Sequence, residues 1–173
     1  MKNYLLLIFI MVFFGSCNCN VKLINEGDIL TEKKQINKVV DAWHLNAAEA
    51  NFDAYFDAMS SSSIFVGTDA AEVWSVEQFN KFSKPYFEKG KAWSFTNVER
   101  NVYVNSDGKI AWFDELLATW MGVCRGSGVL KKDNDVWKIE HYVLSVTVPN
   151  DNIEEVMKVN KKKDSLFLMQ FKK

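Results

Sequence analysis

The stretch NVYVNSDGKIAWFDELLAT, at residues 101–119, decides the fold class of this chain. Asp107-Gly108 is a strong hairpin signal, and the residues on both sides alternate with the period of two that strands show. The same period predicts four strands, at residues 92–105, 109–119, 123–131 and 136–148. Asp133-Asn134 marks the last turn. Such short loops predict antiparallel neighbours.

Three helices are predicted before the strands. Apolar residues recur at helical spacing through residues 31–50 and again through residues 51–59. Ser75 and Gln78 form a capping box that opens a third helix, and Pro85 is expected to end or kink that helix. Helices followed by a meander predict an α+β domain in which the helices cover one face of a curved antiparallel sheet.

The composition is that of one compact globular domain. The 173 residues are 48% apolar and 25% charged and include 8 glycines and 2 prolines, which excludes disordered, collagen-like and solenoid classes. A net charge of -1 offers no basic field for phosphates, so no nucleic-acid partner is expected. The 2 histidines and 3 cysteines lack the spacing of a metal site, and the sequence shows no glycine-rich phosphate loop; no metal or cofactor is expected.

The amino terminus is predicted to be a targeting segment. After Lys2, residues 4–14 form an apolar run too short for the ~20 residues of a membrane span, so residues 1–16 are predicted to be a signal peptide. The sequence FGSC at residues 14–17 resembles the lipobox of bacterial lipoproteins, which implies lipidation of Cys17. Ordinary cleavage beside the same small residues is the alternative.

The lipobox resemblance also implies a location. Residues 17–30 are predicted to be a lipidated tether that holds the domain to a membrane through its lipid anchor only. Asn18 follows the cysteine where an aspartate would favour the inner membrane. The expected place is therefore the bacterial cell envelope, on the outer membrane and facing the periplasm.

Both faces of the strand at residues 109–119 are rich in apolar residues. One face carries Ile110, Trp112, Asp114, Leu116 and Ala118, and the other carries Ala111, Phe113, Glu115, Leu117 and Thr119. A strand with one face in water would alternate with polar residues, so something besides the helices should cover the second face. A second copy of the chain is the simplest cover, and a homodimer is predicted.

Residues 151–173 are predicted to be a helical C-terminal tail. Ile153, Val156 and Met157 fall on one side of it, and three consecutive lysines follow. A packed or fraying terminal helix is one interpretation, and a role at a membrane surface is the other.

Five runs resemble the SnoaL-like branch of the nuclear transport factor 2-like superfamily. They are WHLNAAEANFDAYF at residues 43–56, GTDAAEVW at 67–74, AWFDE at 111–115, RGSGVL at 125–130 and VWKIEHYVLSVTVPN at 136–150. The resemblance implies a cone-shaped domain over residues 31–150, with three N-terminal helices packed on a strongly curved antiparallel sheet and a pocket open at one end. This superfamily includes ketosteroid isomerase and polyketide cyclases beside non-catalytic modules, so the fold leaves the activity open.

Three residues are candidate catalytic acids or bases. His141 alternates with Trp137 and other apolar residues, which predicts an interior position; a hydrogen-bonded core histidine is the alternative. Asp69 lies in the loop before the third helix, where it could act as a base or only tie down backbone N–H groups. Asp114 and Glu115 must point to opposite faces of their strand, so at least one of them should be buried and paired.

The two arginines offer that pairing. Arg100 and Arg125 each lie on a strand face with apolar neighbours, where a guanidinium usually has a bidentate partner. The partner could be a ligand or a structural carboxylate. In the second case the pair would lower the pKa of the acid and make it a poor general base.

Small and aromatic residues complete the predicted pocket. Gly126 and Gly128 leave a trough on one strand face that can receive an aromatic ring or line a pocket. Six tryptophans supply rigid surface that suits a planar, largely apolar ligand. The predicted ligand-binding residues are Trp43, His44, Glu72, Trp74, Arg100, Trp112, Arg125 and Ser127.

Two functions remain open at this point. The first is a lipoprotein whose pocket binds a small, mostly apolar molecule, with Arg125, Asp114 and His141 orienting its polar end. The second is an acid–base enzyme that resembles ketosteroid isomerase or a polyketide cyclase and abstracts a proton next to a carbonyl, with Asp69, Asp114 and His141 as candidate bases.

Overall fold

The computed structural model describes residues 24–172. The predicted signal peptide, Cys17 and the first half of the predicted tether lie outside the described residues. Helix α1 spans Glu26–Ala48, and the side chain of its N-cap, Asn25, accepts a hydrogen bond from the backbone N–H of Asp28 at 2.9 Å. The helix thus begins within the segment that was predicted to be tether, because Asn25 supplies a cap for its first turn.

Two shorter helices follow α1. Helix α2 spans Phe52–Asp57 and helix α3 spans Val76–Phe87. The predicted capping box at the start of α3 is confirmed: the backbone N–H of Gln78 donates to Ser75, and the Gln78 side chain accepts from the backbone N–H of Ser75. Pro85 lies within the last turn of α3, so the expectation that it would end the helix at that point is wrong.

The described residues form one six-stranded sheet, which is curved and does not close into a barrel. The strands are β1 (Met59–Val66), β2 (Val73–Ser75), β3 (Thr96–Val104), β4 (Ile110–Thr119), β5 (Gly122–Asp133) and β6 (Val136–Val146). Their order across the sheet is β2-β1-β6-β5-β4-β3. The predicted α+β class, with helices before a β-meander, is confirmed by this arrangement.

The sheet is mixed, because β1 runs parallel to β6. An antiparallel sheet was expected, and this is correct only for the β3–β6 meander and the β1–β2 pair. The four serines at residues 60–63 follow the second helix and belong to β1. The Ser62 hydroxyl donates to a carboxylate oxygen of Glu140 at 2.6 Å, so a polar segment finds hydrogen-bond partners beside β6.

A β-bulge at Glu140 changes which residues of β6 face the core. Val129 of β5 pairs with His141, and the next residue, Leu130, pairs with Ile139, so Glu140 is an extra residue on β6. From His141 onward, the inward and outward positions of β6 are therefore shifted by one residue relative to those before Glu140. Tyr142 is buried, whereas His141 is only half-buried and lies on the opposite face. The predicted interior position of His141 is therefore wrong.

The core lies between the helices and the inner face of the sheet. Its largest members include Trp43, Tyr55 and Tyr142. The side chains of Phe113 and Tyr142 fill the trough above Gly126 and Gly128 of β5. A Cβ atom at Gly128 would lie 2.5 Å from the Phe113 ring. Aromatic packing, one of the two interpretations of the trough, is therefore what the structure shows.

The outer face of the sheet carries exposed apolar side chains among polar ones. Tyr103 and Trp112 stack there with ring centroids 5.9 Å apart, and both side chains are almost half exposed. Other large apolar side chains on exposed strand positions are Val98, Ile110 and Val123. The two apolar faces predicted for β4 are thus present, one packed against the helices and one uncovered in the described chain.

The tail forms helix α4, Ile153–Met169, as predicted. Within the described residues, α4 has no buried side chain. Among residues 24–172, no helix is long and apolar enough to cross a membrane.

Candidate functional site

A cavity of about 220 Å³ opens between α1, α2, α3 and the inner face of the sheet. Of the described residues that line it, eleven carry the ring of Phe, Tyr or Trp. The lining residues are Trp43, His44, Tyr55, Phe65, Gly67, Thr68, Glu72, Trp74, Phe79, Phe82, Tyr86, Ala92, Trp93, Phe95, Trp120, Met121, Tyr142 and Leu144. The cavity is thus predominantly apolar with a few polar groups, as is usual for a small-molecule site.

Several aromatic rings of the cavity wall stack on one another. Phe65 and Phe79 stack with ring centroids 3.9 Å apart and an angle of 14° between their planes. Trp74 stacks on Phe82 at 4.5 Å and 23°. Stacking of this kind packs the rings of the wall tightly against one another.

Glu115 is a buried acid close behind the cavity. It lies on the inner face of β4 with none of its surface exposed. His44 of α1 is 2.8 Å from Oε1 of Glu115 through Nε2, and the Tyr142 hydroxyl donates to the same oxygen at 2.9 Å. Two residues that line the cavity are therefore held in place by one carboxylate.

Arg100 neutralises this carboxylate. Its Nε donates to Oε2 of Glu115 at 2.9 Å, and its Nη1 donates to Asp41 of α1 at 2.7 Å. The Arg100 side chain is only 2% exposed, and the guanidinium does not line the cavity. Of the two explanations for an arginine on an apolar face, the structural ion pair is the one observed for Arg100.

The environment of the network sets its protonation. Burial by itself raises the pKa of Glu115, but the hydrogen bond and charge of His44, together with Arg100, outweigh burial and hold this pKa below its usual value. Burial, reinforced by the nearby Glu115, raises the pKa of Tyr142 well above its usual value. At neutral pH Glu115 is therefore a paired carboxylate and Tyr142 a neutral donor, so Glu115 is a poor general base.

Two buried polar groups of the lining lack partners. Trp43 Nε1 and the Tyr55 hydroxyl make no hydrogen bond with any of the described residues. Their residues are 1% and 0% exposed, and their rings stack on each other with centroids 4.9 Å apart. Burial raises the pKa of Tyr55 well above its usual value, so its hydroxyl stays protonated. Both atoms are fully buried, so two hydrogen-bonding groups of the described interior are left unsatisfied.

The loop between β1 and β2 contributes Glu72 to the wall. Oε2 of Glu72 accepts a hydrogen bond from the backbone N–H of Asp69 at 3.2 Å. The Asp69 carboxylate accepts from the backbone N–H of Ala71 at 2.9 Å and does not line the cavity. Asp69 therefore holds the loop in shape, which was the alternative to its predicted catalytic role.

Four predicted residues lie on the other face of the sheet. Trp112, Asp114, Arg125 and Ser127 occupy outward positions of β4 and β5, because the inward positions belong to residues such as Phe113, Glu115 and Gly126. Arg125 is 3.9 Å from Asp114 in an exposed pair. None of the four lines the cavity within the described residues, so the structure does not bring them together with the predicted residues of the inner face.

Of the predicted set, the cavity is lined by Trp43, His44, Glu72 and Trp74. Arg100 does not line it but binds Glu115, which contacts His44. His141 stays apart because of the bulge at Glu140. Sequence reasoning missed the wall residues Tyr55, Trp93 and Tyr142 and the central place of Glu115. For Glu115 a signal was present, since it shares its strand face with Ala111, Phe113 and Leu117.

No group of three His, Cys, Asp or Glu side chains that could hold a metal ion occurs within residues 24–172. The polar side chains on the cavity wall are indole and phenol donors, the Thr68 hydroxyl, one imidazole and one carboxylate.

Comparison with known proteins gives one family. The model of the SnoaL-like domain matches residues 36–149. No curated protein matches the chain.

Solved structures with the same fold are numerous, and three illustrate their range. An NTF2-like protein of unknown function from Pseudomonas putida is 9% identical, with 71% of this chain and 92% of that chain covered and a TM-score of 0.60. A putative dehydratase of the NTF2-like family from Streptomyces avermitilis is 14% identical, with 69% of this chain and 98% of that chain covered and a TM-score of 0.58. The association domain of C. elegans CaMKII is 16% identical, with 69% of this chain and 98% of that chain covered and a TM-score of 0.57. At these identities the likeness shows the fold alone.

The Glu115 network predicts a specific pH dependence of stability. Glu115→Gln leaves the buried Arg100 charge with the exposed Asp41 as its remaining counter-charge, so it should lower the free energy of unfolding at pH 7 by about 3 kcal/mol. Folding lowers the pKa of Glu115 from 4.5, so its carboxylate stabilises the fold above about pH 4.5 and loses this effect as the pH falls through the folded-state value. The difference between wild type and variant should therefore shrink below pH 4.5, as measured by urea denaturation across this range.

Asp114→Asn is the matched control, since this neighbouring acid lies on the outer face in a long, exposed pair. It should change the free energy of unfolding by less than about 1 kcal/mol. A Glu115→Gln difference that stays constant from pH 7 to pH 3 would contradict the assigned role of the carboxylate.

Proposed function

The chain belongs to the SnoaL-like domain family of the NTF2-like superfamily, and on this basis we propose that its cavity binds a small, mostly apolar molecule with a polar end. The observation that carries this proposal is the aromatic cavity itself. Its walls are stacked rings, and the two buried polar groups without a partner, Trp43 Nε1 and the Tyr55 hydroxyl, belong to its lining. A close-packed hydrophobic core would leave no cavity of this size.

The supporting residues are rigid before any ligand arrives. Glu115 fixes the His44 and Tyr142 side chains through hydrogen bonds of 2.8 and 2.9 Å, and Arg100 fixes Glu115 in turn. A wall with locked rotamers loses little conformational entropy on binding, which favours affinity for one ligand shape. The polar end is therefore assigned to the inner-face residues and not to Arg125, Asp114 or His141.

A second candidate function is acid–base catalysis next to a carbonyl, in the manner of an isomerase, cyclase or dehydratase. One observation favours it: His44 lines the cavity while its Nε2 is held by a buried carboxylate. An imidazole oriented by a carboxylate is the arrangement that general bases use. Glu115 serves as the orienting group here, since Arg100 makes it a poor base itself.

The exposed outer face supports a homodimer as part of the proposal. Trp112 and Tyr103 stack on it without cover from the helices, and large exposed apolar patches mark interaction surfaces. A second copy that places the same face against it would bury both sets of residues.

The location is proposed from the sequence alone. Residues 14–17 resemble a lipobox, and lipidated Cys17 would hold the domain at the cell envelope. On this proposal the cavity works at the periplasmic side of the outer membrane, with no membrane contact besides the anchor.

Native mass spectrometry of the full chain, purified from its own organism, tests the binding function first. The expected result is a retained small molecule of low polarity, identified after denaturation. Ala92→Trp places a large ring in the cavity wall and should abolish retention, whereas Ala42→Trp on the exposed side of α1 should not. Equal retention in both variants, or an empty wild-type chain, would count against the proposal.

Deuterium exchange tests the catalytic candidate. The full chain should accelerate exchange of the α-protons of 2-indanone with D2O, followed by NMR. His44→Gln should lower the added rate by at least about tenfold, since a general base contributes roughly 10²–10⁴. His141→Gln on the outer face is the matched control and should leave the rate unchanged. No acceleration over buffer by wild type would remove this candidate and leave the binding function standing.

Light scattering at micromolar concentration tests the homodimer. Wild type should show twice the 19.9 kDa of one chain, and Trp112→Lys should give the monomer because it places a charge within the apolar outer face. Leu45→Lys, at an exposed position of α1, should remain dimeric. A monomeric wild type would contradict the prediction.

A further inference from the structure

We infer that the polar end of the ligand is a cation, a quaternary ammonium group, held at the mouth of the cavity by the Glu72 carboxylate and the rings of Trp74 and Phe82. The inference rests on the proposed binding function and names the chemical class of the ligand for the same cavity. The apolar body of the ligand then lies against the buried rings of the inner wall.

The hairpin of β1 and β2 places Glu72 on the cavity wall. Glu72 directly precedes β2 and alternates with Val73, whose side chain is 59% exposed, so Glu72 and Trp74 point to the same, inner side. Gly67 lies opposite, and its backbone N–H donates to the Glu72 carbonyl at 2.9 Å. A Cβ atom at Gly67 would clash with Oε2 of Glu72, so this glycine leaves the space that the carboxylate occupies. Gly67, Glu72 and Trp74 all line the cavity.

The Glu72 carboxylate has no cationic partner in the part of the chain that the structure describes. None of the ion pairs among residues 24–172 includes it, and within the same residues its side chain accepts a hydrogen bond only from the backbone N–H of Asp69. A carboxylate can accept about four hydrogen bonds, so most of this capacity is unused. Lysine and arginine do not occur among the described lining residues, so the charge of Glu72 on the wall is not balanced.

The acid behind the inner wall, in contrast, is balanced by the protein itself. Arg100 donates to Glu115 at 2.9 Å and to Asp41 at 2.7 Å, so Glu115 needs no charge from a ligand. An anionic ligand would lose its hydration among the rings and approach Glu72 without gaining a cation, which is strongly unfavourable. The charges around the cavity therefore favour a cation, and they favour it at Glu72.

Aromatic rings surround the same end of the cavity. Trp74 stacks on Phe82 with ring centroids 4.5 Å apart, and the next ring, Tyr86, is 5.5 Å from Phe82. Phe82 and Tyr86 are 41% and 43% exposed, whereas Trp43 on the inner wall is 1% exposed, so the first group forms the mouth. Sites made of several aromatic rings recognise quaternary ammonium groups, because the ring faces attract positive charge.

The hydrogen-bonding groups of the wall determine the kind of cation. A primary ammonium group carries three N–H donors, each of which requires an acceptor. Rings rather than acceptor oxygens form most of the described wall. A trimethylammonium group has no N–H to satisfy and presents methyl groups to the rings. The wall therefore suits a quaternary better than a primary ammonium group.

The volume of the cavity selects the probes. A dry cavity of about 150 Å³ accommodates benzene. At about 220 Å³, the cavity has room for one ring together with a small group at the mouth. Phenyltrimethylammonium is a probe of this size, and tert-butylbenzene is its neutral counterpart, with carbon in place of the charged nitrogen. Benzenesulfonate is the corresponding anion.

Titration of the full chain at pH 7 and low salt, followed by tryptophan fluorescence, tests the inference with these three probes and benzylammonium. Phenyltrimethylammonium should bind about tenfold tighter than tert-butylbenzene, because the two differ in charge and hardly in shape. Benzenesulfonate should bind more weakly than tert-butylbenzene, and benzylammonium more weakly than phenyltrimethylammonium.

Glu72→Gln removes the charge and keeps both the length of the side chain and an oxygen that can accept from the Asp69 N–H. It should bind tert-butylbenzene as wild type does and lose several-fold of the affinity for phenyltrimethylammonium. Glu77→Gln changes the net charge equally but lies on the exposed side of α3, paired with Lys81, and is the matched control that should keep the preference.

Phe82→Leu tests the aromatic part of the site. It retains apolar surface at a position that is already 41% exposed but removes the ring. The preference for phenyltrimethylammonium over tert-butylbenzene should fall several-fold, since an aliphatic side chain has no ring face to attract the charge.

The outcomes separate the two proposals. If none of the probes binds, the proposed binding function fails and the inference fails with it. If tert-butylbenzene binds as tightly as phenyltrimethylammonium, or the sulfonate or benzylammonium binds best, or Glu72→Gln or Phe82→Leu keeps the preference, the cavity is a binding site and the inference about its polar end is overturned. The expected order together with the losses in both variants supports the inference.

Discussion

The buried carboxylate of Glu115 is the constraint on which the rest of the structure depends. A charge without solvent must be paired, and its partners come from α1, β3 and β6 through His44, Arg100 and Tyr142. Strand β5 also contacts this carboxylate, because a Cβ atom at Gly126 would lie 2.7 Å from Oε1 of Glu115. The position of α1 on the sheet, the side chains that β3 and β6 place beside β4, and the glycine at position 126 thus all depend on the Glu115 side chain. The same contacts orient the inner wall of the cavity, so the stability of the domain and the shape of its site cannot be varied independently.

Much of the fold was predictable from the sequence because its signals are local. The Asp107-Gly108 turn, the capping box at Ser75 and the period-two strands each follow from a few adjacent residues, and the structure contains all of them. The parallel pairing of β1 with β6 was not predictable in this way. It joins segments far apart in the chain, and its serine run has the composition of a loop rather than that of a strand.

The candidate site was predictable only in part, and the reason is geometric. A strand pattern tells which residues share a face but not which face is the inner one when both are apolar, as in β4. The choice of Asp114 and Arg125 over Glu115 followed from that ambiguity. For His141 the pattern was misleading, because one extra residue at Glu140 reverses the alternation along the rest of β6. Helix residues such as Trp43 and His44 were easier to place, since the helix has a single apolar stripe.

Trp120 adds a consequence for kinetics. It lies in the short connection between β4 and β5, lines the opening of the cavity and is 81% exposed, whereas the inner walls are buried. A side chain so free of neighbours can change rotamer without disturbing the Glu115 network. On the proposed binding function, the buried inner wall would set the strength of binding, and the exposed Trp120 ring would affect mainly the rate of ligand exchange. Substitutions at Trp120 can therefore alter how quickly ligands exchange while the choice of ligand stays the same.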